Sequence, residues 1–215
     1  MGLFGFLKSD KPSYSDKVWM TRDAALKGMM TEALLSLTKS EVPLVLSFFE
    51  DKQQEVIDFA TSKNAPHSVI DSNSLTNNDK SVLLMNAQWL SSSSQAMDFL
   101  IQLSKAVKLN VMFYGHYPIP EKENQLLSKI STTIKIGTTV KFFSSLDDRA
   151  FEMFGADNIK NIMERMGMKE DEAIEHAMVT KSMERARHKI EAGVSQETVT
   201  STEVEWYDRN YKVRQ

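Results

Sequence analysis

Cysteine is missing from this chain of 215 residues. Its absence removes disulfides, thiolate nucleophiles and cysteine-ligated zinc together, and it is compatible with a reducing compartment. Glycine is sparse as well. The eight glycines, at positions 2, 5, 28, 115, 137, 155, 167 and 193, form neither GxxxxGK[ST] nor GxGxxG, the patterns that bring backbone N–H groups against a phosphate chain. No arginine lies between Arg22 and Arg149. Apolar runs all fall short of the ~20 residues a membrane-spanning helix requires. Neither sign of charge prevails: 26 Lys and Arg against 29 Asp and Glu leave a net charge of -3. That balance argues against nucleic-acid binding by phosphate neutralisation.

What remains is an ordinary globular composition, 41% hydrophobic and 26% charged, long enough for one domain with an appendage. The opening MGLFGFLK has no small-residue cleavage site, so it does not read as a secretory signal. Gly2 lacks the downstream Ser or Thr of a myristoylation motif. Phe4 and Phe6 are candidates for docking on a partner or a membrane surface; packing on their own domain is the plainer alternative.

Periodicity orders the elements. A short strand is expected at Val18–Thr21, and Leu26, Met29, Met30, Ala33, Leu34 and Leu37 recur at helical spacing up to about Lys39. The continuous apolar run Leu44–Phe49 has the composition of a strand buried in a parallel sheet. A helix over Glu50–Lys63 follows, then strands at His67–Ile70 and Ser81–Asn86, a helix over Ser94–Val107 and a strand at Asn110–Tyr114. Pro118 and Pro120 mark the start of a helix to about Ile130, and Thr139–Phe143 is the last expected strand. Strand–helix alternation of this kind predicts a mainly parallel sheet covered on both faces. Beyond about Asp148 the pattern is helical only.

Few residues suggest chemistry. The four histidines, 67, 116, 176 and 188, are scattered and form no HExxH, so no metal site is expected. Glu172 with His176, and Glu184 with His188, are spaced i, i+4 on expected helices and read as surface pairs. Ser91–Ser94 form a polar loop without a GxSxG elbow. Met29, Met30, Met163, Met166, Met168, Met178 and Met183 fall at core spacing. Arg185 and Arg187, with His188 and Lys189, could meet an acidic partner or lipid headgroups, although Glu184 and Glu191 flank them as on a solvated helix face. Gly193 and the Thr/Ser/Val-rich stretch after it weaken the helix. Trp206, Tyr207 and Tyr211 are aromatics in a polar segment and are candidates for a docking patch.

The run Met163-Glu164-Arg165-Met166-Gly167-Met168, followed by Glu172-Ala173-Ile174-Glu175-His176 and Val179-Thr180-Lys181, closely resembles the SecA preprotein translocase ATPase where its second nucleotide-binding lobe joins the scaffold helix. Upstream, Val18-Trp19-Met20-Thr21, Val42-Pro43-Leu44-Val45-Leu46-Ser47 and Pro66-His67-Ser68-Val69-Ile70 resemble the start of that lobe in the same order. Phe143-Ser144-Ser145-Leu146-Asp147-Asp148 resembles a further family motif. The resemblance covers roughly Asp16 to Glu191 and implies a RecA-like lobe of the helicase second-lobe type. It also marks departures. Where the family has Arg-Gly-Arg after Asn-Gln-Leu, this chain continues from Asn124-Gln125-Leu126 with Leu127-Ser128-Lys129. A glycine-rich motif of the family corresponds to Asn86-Ala87-Gln88-Trp89-Leu90-Ser91. Lysine does not reproduce a bidentate guanidinium, and Trp89 is bulky where close approach to a nucleotide needs small residues.

The expectation is therefore a tail at 1–15, a RecA-like α/β lobe at 16–148 and an all-helical extension at 149–215 resembling the start of the SecA scaffold helix. The expected role is non-catalytic: a SecA-like protein, cytoplasmic with at most peripheral membrane contact, binding a SecA-type motor or other translocation component, with no cofactor. Its expected contacts are Phe4, Phe6, Arg185, Arg187, Trp206, Tyr207 and Tyr211. The alternative is a stand-alone α/β module binding a small molecule at the strand C-termini, near Asn86, Ser91–Ser94 and His116.

Overall fold

The computed structural model describes residues 14–76, 80–134, 140–154, 156–165, 167–169 and 171–211. Strands β1 (Tyr14–Trp19), β2 (Glu41–Ser47), β3 (His67–Ile70), β4 (Val82–Asn86), β5 (Lys108–Tyr114) and β6 (Val140–Ser145) form one sheet in the order β1-β6-β5-β2-β4-β3. All its ladders are parallel. The helices are α1 (Arg22–Thr38), α2 (Glu50–Ser62), α3 (Ala87–Ser92), α4 (Ser94–Ala106), α5 (Pro120–Thr133), α6 (Arg149–Phe154), α7 (Ala156–Arg165), α8 (Ala177–Gly193) and α9 (Glu203–Asn210). The fold is α/β and RecA-like, as the alternation and the resemblance led us to expect.

Side-chain alternation along each strand divides the core. On β2, Val42, Leu44 and Leu46 face one side, and Val45 faces the other. The second side is covered by α1 and α2 through Leu26, Met29, Met30, Val56 and Ala60. The first is covered by α4 and α5, and also by α8 and α9, whose Met183, Ile190, Trp206 and Tyr207 join the same cluster. The helices after Asp148 thus pack on the lobe.

Several local expectations are corrected. β1 starts at Tyr14 and β2 at Glu41, earlier than apolar runs suggested. Pro43 is accommodated because β2 pairs there with β5 alone, while its pairing with β4 begins at Leu44. Past Asp148 the chain is not purely helical: Ile174 exchanges two backbone hydrogen bonds with Val18 (3.1 and 2.8 Å) and covers the edge of β1. Glu172 and His176 do not share a helix. His176 is the N-cap of α8, its ring accepting from Met178 N. Met178 is 64% exposed because the adjacent Val179 takes the core-facing position.

Gly28 of α1 is set by packing. A Cβ there would lie 2.3 Å from Trp19 Cζ2, and the indole is held between α1 and Phe143 at a ring-centroid distance of 5.8 Å. Gly28→Ala gains about 1 kcal/mol of helix propensity but overpacks a rigid ring, which costs about 1–3 kcal/mol. Lower thermal stability and an altered near-UV Trp signal are the expected results.

Candidate functional site: the C-terminal edge of the sheet

β2 and β4 are neighbours, yet the helices that follow them leave toward opposite faces, α2 on one and α4 on the other. Chains that part in this way open a crevice beyond the strand C-termini, the usual ligand position in such sheets. Here the crevice has a volume of about 820 Å³. Phe48, Asn86, Trp89, Ser91 and Ser92 line it, together with Glu50 and Gln53 of α2. Asn86 caps α3 by accepting from Trp89 N at 3.0 Å. Lys129 donates to Ser91 O at 3.0 Å. Asn86, Ser91 and Ser92 line the crevice, but Ser91 and Ser92 end α3 and Ser93 caps α4 where a loop was expected, and Ser93, Ser94 and His116 do not line it.

The rest of the edge is built over by the segment 194–210. The first N–H of α2, from Glu50, donates to Ser201 O at 2.7 Å. Phe49, the N-cap of α2, has no polar side chain to serve that end, so a distant carbonyl does so. In return Glu203 N at the start of α9 donates to the Asp51 carboxylate at 3.1 and 3.2 Å. Glu197 accepts from Trp206 Nε1 at 2.7 Å and pairs with Lys122.

Under this segment lies a buried charge cluster that sequence reading missed. Lys52 Nζ is 3.1 Å from Asp148 Oδ1 and 3.5 Å from Glu203 Oε2. Burial is the largest influence on Glu203; Asp148 and Asp51 add to it, and together they outweigh Lys52. Its carboxyl is pushed up to about 7. Burial opposes the charge on Lys52, but Asp148, Glu203 and Glu55 hold its pKa above the usual lysine value. Glu203 therefore takes a proton on folding between its ordinary value and about 7, and its contribution to stability falls as pH rises through that window. Relative to the parent, Glu203→Gln is expected to flatten the pH dependence of unfolding between about pH 5 and 7. Denaturant titrations at several pH values check this.

A second missed cluster joins α8 to the lobe. The His116 side chain is 4% exposed. It places Nε2 3.0 Å from Asp16 Oδ1 and Nδ1 3.0 Å from Glu123 Oε2, and its ring stacks on Phe142 at 4.2 Å. Arg187 Nη1 lies 2.6 Å from Glu123 Oε1. Burial disfavours the imidazolium, yet Glu123 and Asp16 outweigh burial and Arg187 and raise its pKa. Burial likewise works against the Glu123 carboxylate, and Arg187 and His116 overcome it. The two carboxylates face the Arg187 guanidinium and an imidazole whose protonated form they favour, and the cluster ties α8 to the lobe.

These positions correct several expected contacts. Arg187 is 2% exposed and tied to Glu123, and Trp206 and Tyr207 are core residues at 0% and 3% exposure. Tyr211 is half-buried, its ring against Gly193, where a Cβ would meet it at 2.7 Å. Arg185 is exposed on α8. Phe4 and Phe6 lie outside the described residues.

Comparison with known proteins finds SecA relatives along most of the chain. The chain is 29% identical to the protein translocase subunit SecA of Halothermothrix orenii over 195 residues, 86% of its own length. It is 24% identical to that of Desulfotalea psychrophila over 190 residues, 84% of its length. The chain is SecA-like over most of its length. It spans 22% of the length of each of these two SecA proteins. A 69-residue stretch is 48% identical to SecA of Sorangium cellulosum and covers 32% of this chain and 7% of that one. No protein-family model matches. A solved structure of the C-terminal part of the Fun30 ATPase domain overlaps with a TM-score of 0.38 at 11% identity, covering 78% of this chain and 53% of that one, too loose a match to bear on function. Among the described residues no helix is long and apolar enough to cross a membrane.

Proposed function

We propose that this chain is a non-catalytic SecA-like lobe that acts through protein–protein contact in preprotein translocation, bound to a SecA-type motor or another translocation component. One observation carries the reading. Beside the β2/β4 crevice, the C-terminal edge of the sheet is covered by the chain's own segment 194–210, with Ser201 on the start of α2 and Glu203 on Lys52. Phosphoryl transfer needs arginines and backbone donors aimed at developing phosphate charge. The positions resembling those motifs hold Trp89, Ser91 and Lys129. The proposed setting is cytoplasmic, with peripheral membrane contact at most, and Arg185 is the surface residue we assign to the partner contact.

Purified protein is expected to release no phosphate from ATP, and to co-sediment with a purified SecA motor in a manner weakened by Arg185→Glu. Micromolar ATP binding with turnover abolished by Lys129→Ala would overturn the non-catalytic part. Absence of any complex with SecA or the membrane translocation channel would overturn the partner part. A second reading, a small molecule in the β2/β4 crevice, is favoured by the cavity of about 820 Å³, within the usual range for such ligands.

A further inference from the structure

We propose that the β2/β4 crevice is a binding site for a small organic cation, a guanidinium or primary ammonium group carried on an apolar stem. This goes beyond the interaction role and does not depend on it. The crevice is complete within the chain: one wall is α2, another is α3, and Val199 of the C-terminal segment closes a third side. No second lobe is needed to form it.

Its lining selects the sign of the ligand's charge. Glu50 and Asp71 both face the crevice and both are exposed. Asp71 Oδ1 accepts from Asn73 N at 2.8 Å and Ser74 N at 2.9 Å, bonds that fix the carboxylate at the rim. Lys122 also lines the space, but its ammonium is paired with Glu197. Lys129 is directed to Ser91 O. Lys52 sits behind the α2 terminus, neutralised by Asp148 and Glu203. The first N–H of α2, which would favour a phosphate, is spent on Ser201 O. An anion entering here meets two carboxylates and a capped helix.

The floor suits the rest of such a ligand. Phe48 stacks on Phe113 at a ring-centroid distance of 5.4 Å, and half-buried Trp89 stands beside it as a lining residue. An aromatic face attracts a cation through its quadrupole, and the apolar floor accepts an alkyl stem. Side-chain amides of Gln53 and Gln88 supply acceptor oxygens at the walls.

The test is calorimetric titration of the full chain with agmatine, which carries a guanidinium and an ammonium on a butyl stem. AMP and inorganic phosphate serve as anionic probes. Expected is saturable agmatine binding with a change in Trp fluorescence, weakened about tenfold by Glu50→Gln and again by Asp71→Asn, as loss of one charge partner predicts. Both residues are exposed, so circular dichroism and melting temperature should stay at parent values. No saturable agmatine binding, binding unaffected by both substitutions, or preference for AMP or phosphate would overturn the assignment. The measurement uses the chain alone, so its failure is distinct from failure to bind a translocation partner.

Discussion

Arg187→Met is expected to destabilise the protein by about 3–5 kcal/mol, because it strands the Glu123 carboxylate in the interior without its guanidinium partner. At this chain length that corresponds to a fall in melting temperature on the order of 10 °C. Glu123 is 0% exposed and sits on α5, while Arg187 belongs to α8. The loss should therefore loosen the α5–α8 contact, seen as faster amide exchange in both helices. The double variant Arg187→Met with Glu123→Leu removes the orphaned carboxylate and should recover much of the loss. A change within about 0.5 kcal/mol for the single variant is what a surface arginine gives; it would show that Arg187 faces solvent, as the sequence pattern alone suggested.

Trp206→Ala should cost about 3–5 kcal/mol, the range for emptying a large buried aromatic site. Trp206 is fully buried, packs edge-on to Tyr117 at 6.1 Å and donates to Glu197. Its loss is expected to free segment 194–210 from α2, leaving Glu50 N to solvent. Hydrogen exchange should rise in that segment and in the first turn of α2 while the sheet stays protected. If stability and exchange were unchanged, Trp206 would be a docking aromatic after all. Exposing the edge this way also bears on nucleotide binding: a variant that still ignores ATP places the loss in the crevice residues and not in the cover.

The misplaced contacts share a cause. Arg187 was placed on a solvated face because it is charged, and the buried Glu123, Lys52 and Asp16 were not singled out at all. Yet each stands at core spacing: Arg187 with Met183 and Ile190, Glu123 with Leu126, Leu127 and Ile130, Lys52 with Val56 and Ala60, and Asp16 two residues before Val18. A charge in phase with an apolar stripe is the sequence signal for a buried pair, though it does not name the partner. His116 illustrates the limit: its two carboxylates lie 100 and 7 residues away along the chain. Trp206 was misread because its surroundings in sequence are polar, while its packing comes from Tyr117 and the core beside it.

Local rules settled the kind and order of the six strands and of α1, α2, α4 and α5. Hydrophobic alternation, the prolines and the long apolar run at β2 are short-range properties, and short-range sterics and burial decide helix against strand. The missing glycine cradle and the gap in arginine between 22 and 149 were likewise visible at once, since motif chemistry is linear in the chain. Strand order, the fold-back of α8 and α9, and the charges that meet under them belong to three dimensions. They depend on contacts between residues far apart in sequence, whose energies come from excluding water around both members of a pair at once, and a linear pattern carries only one member at a time.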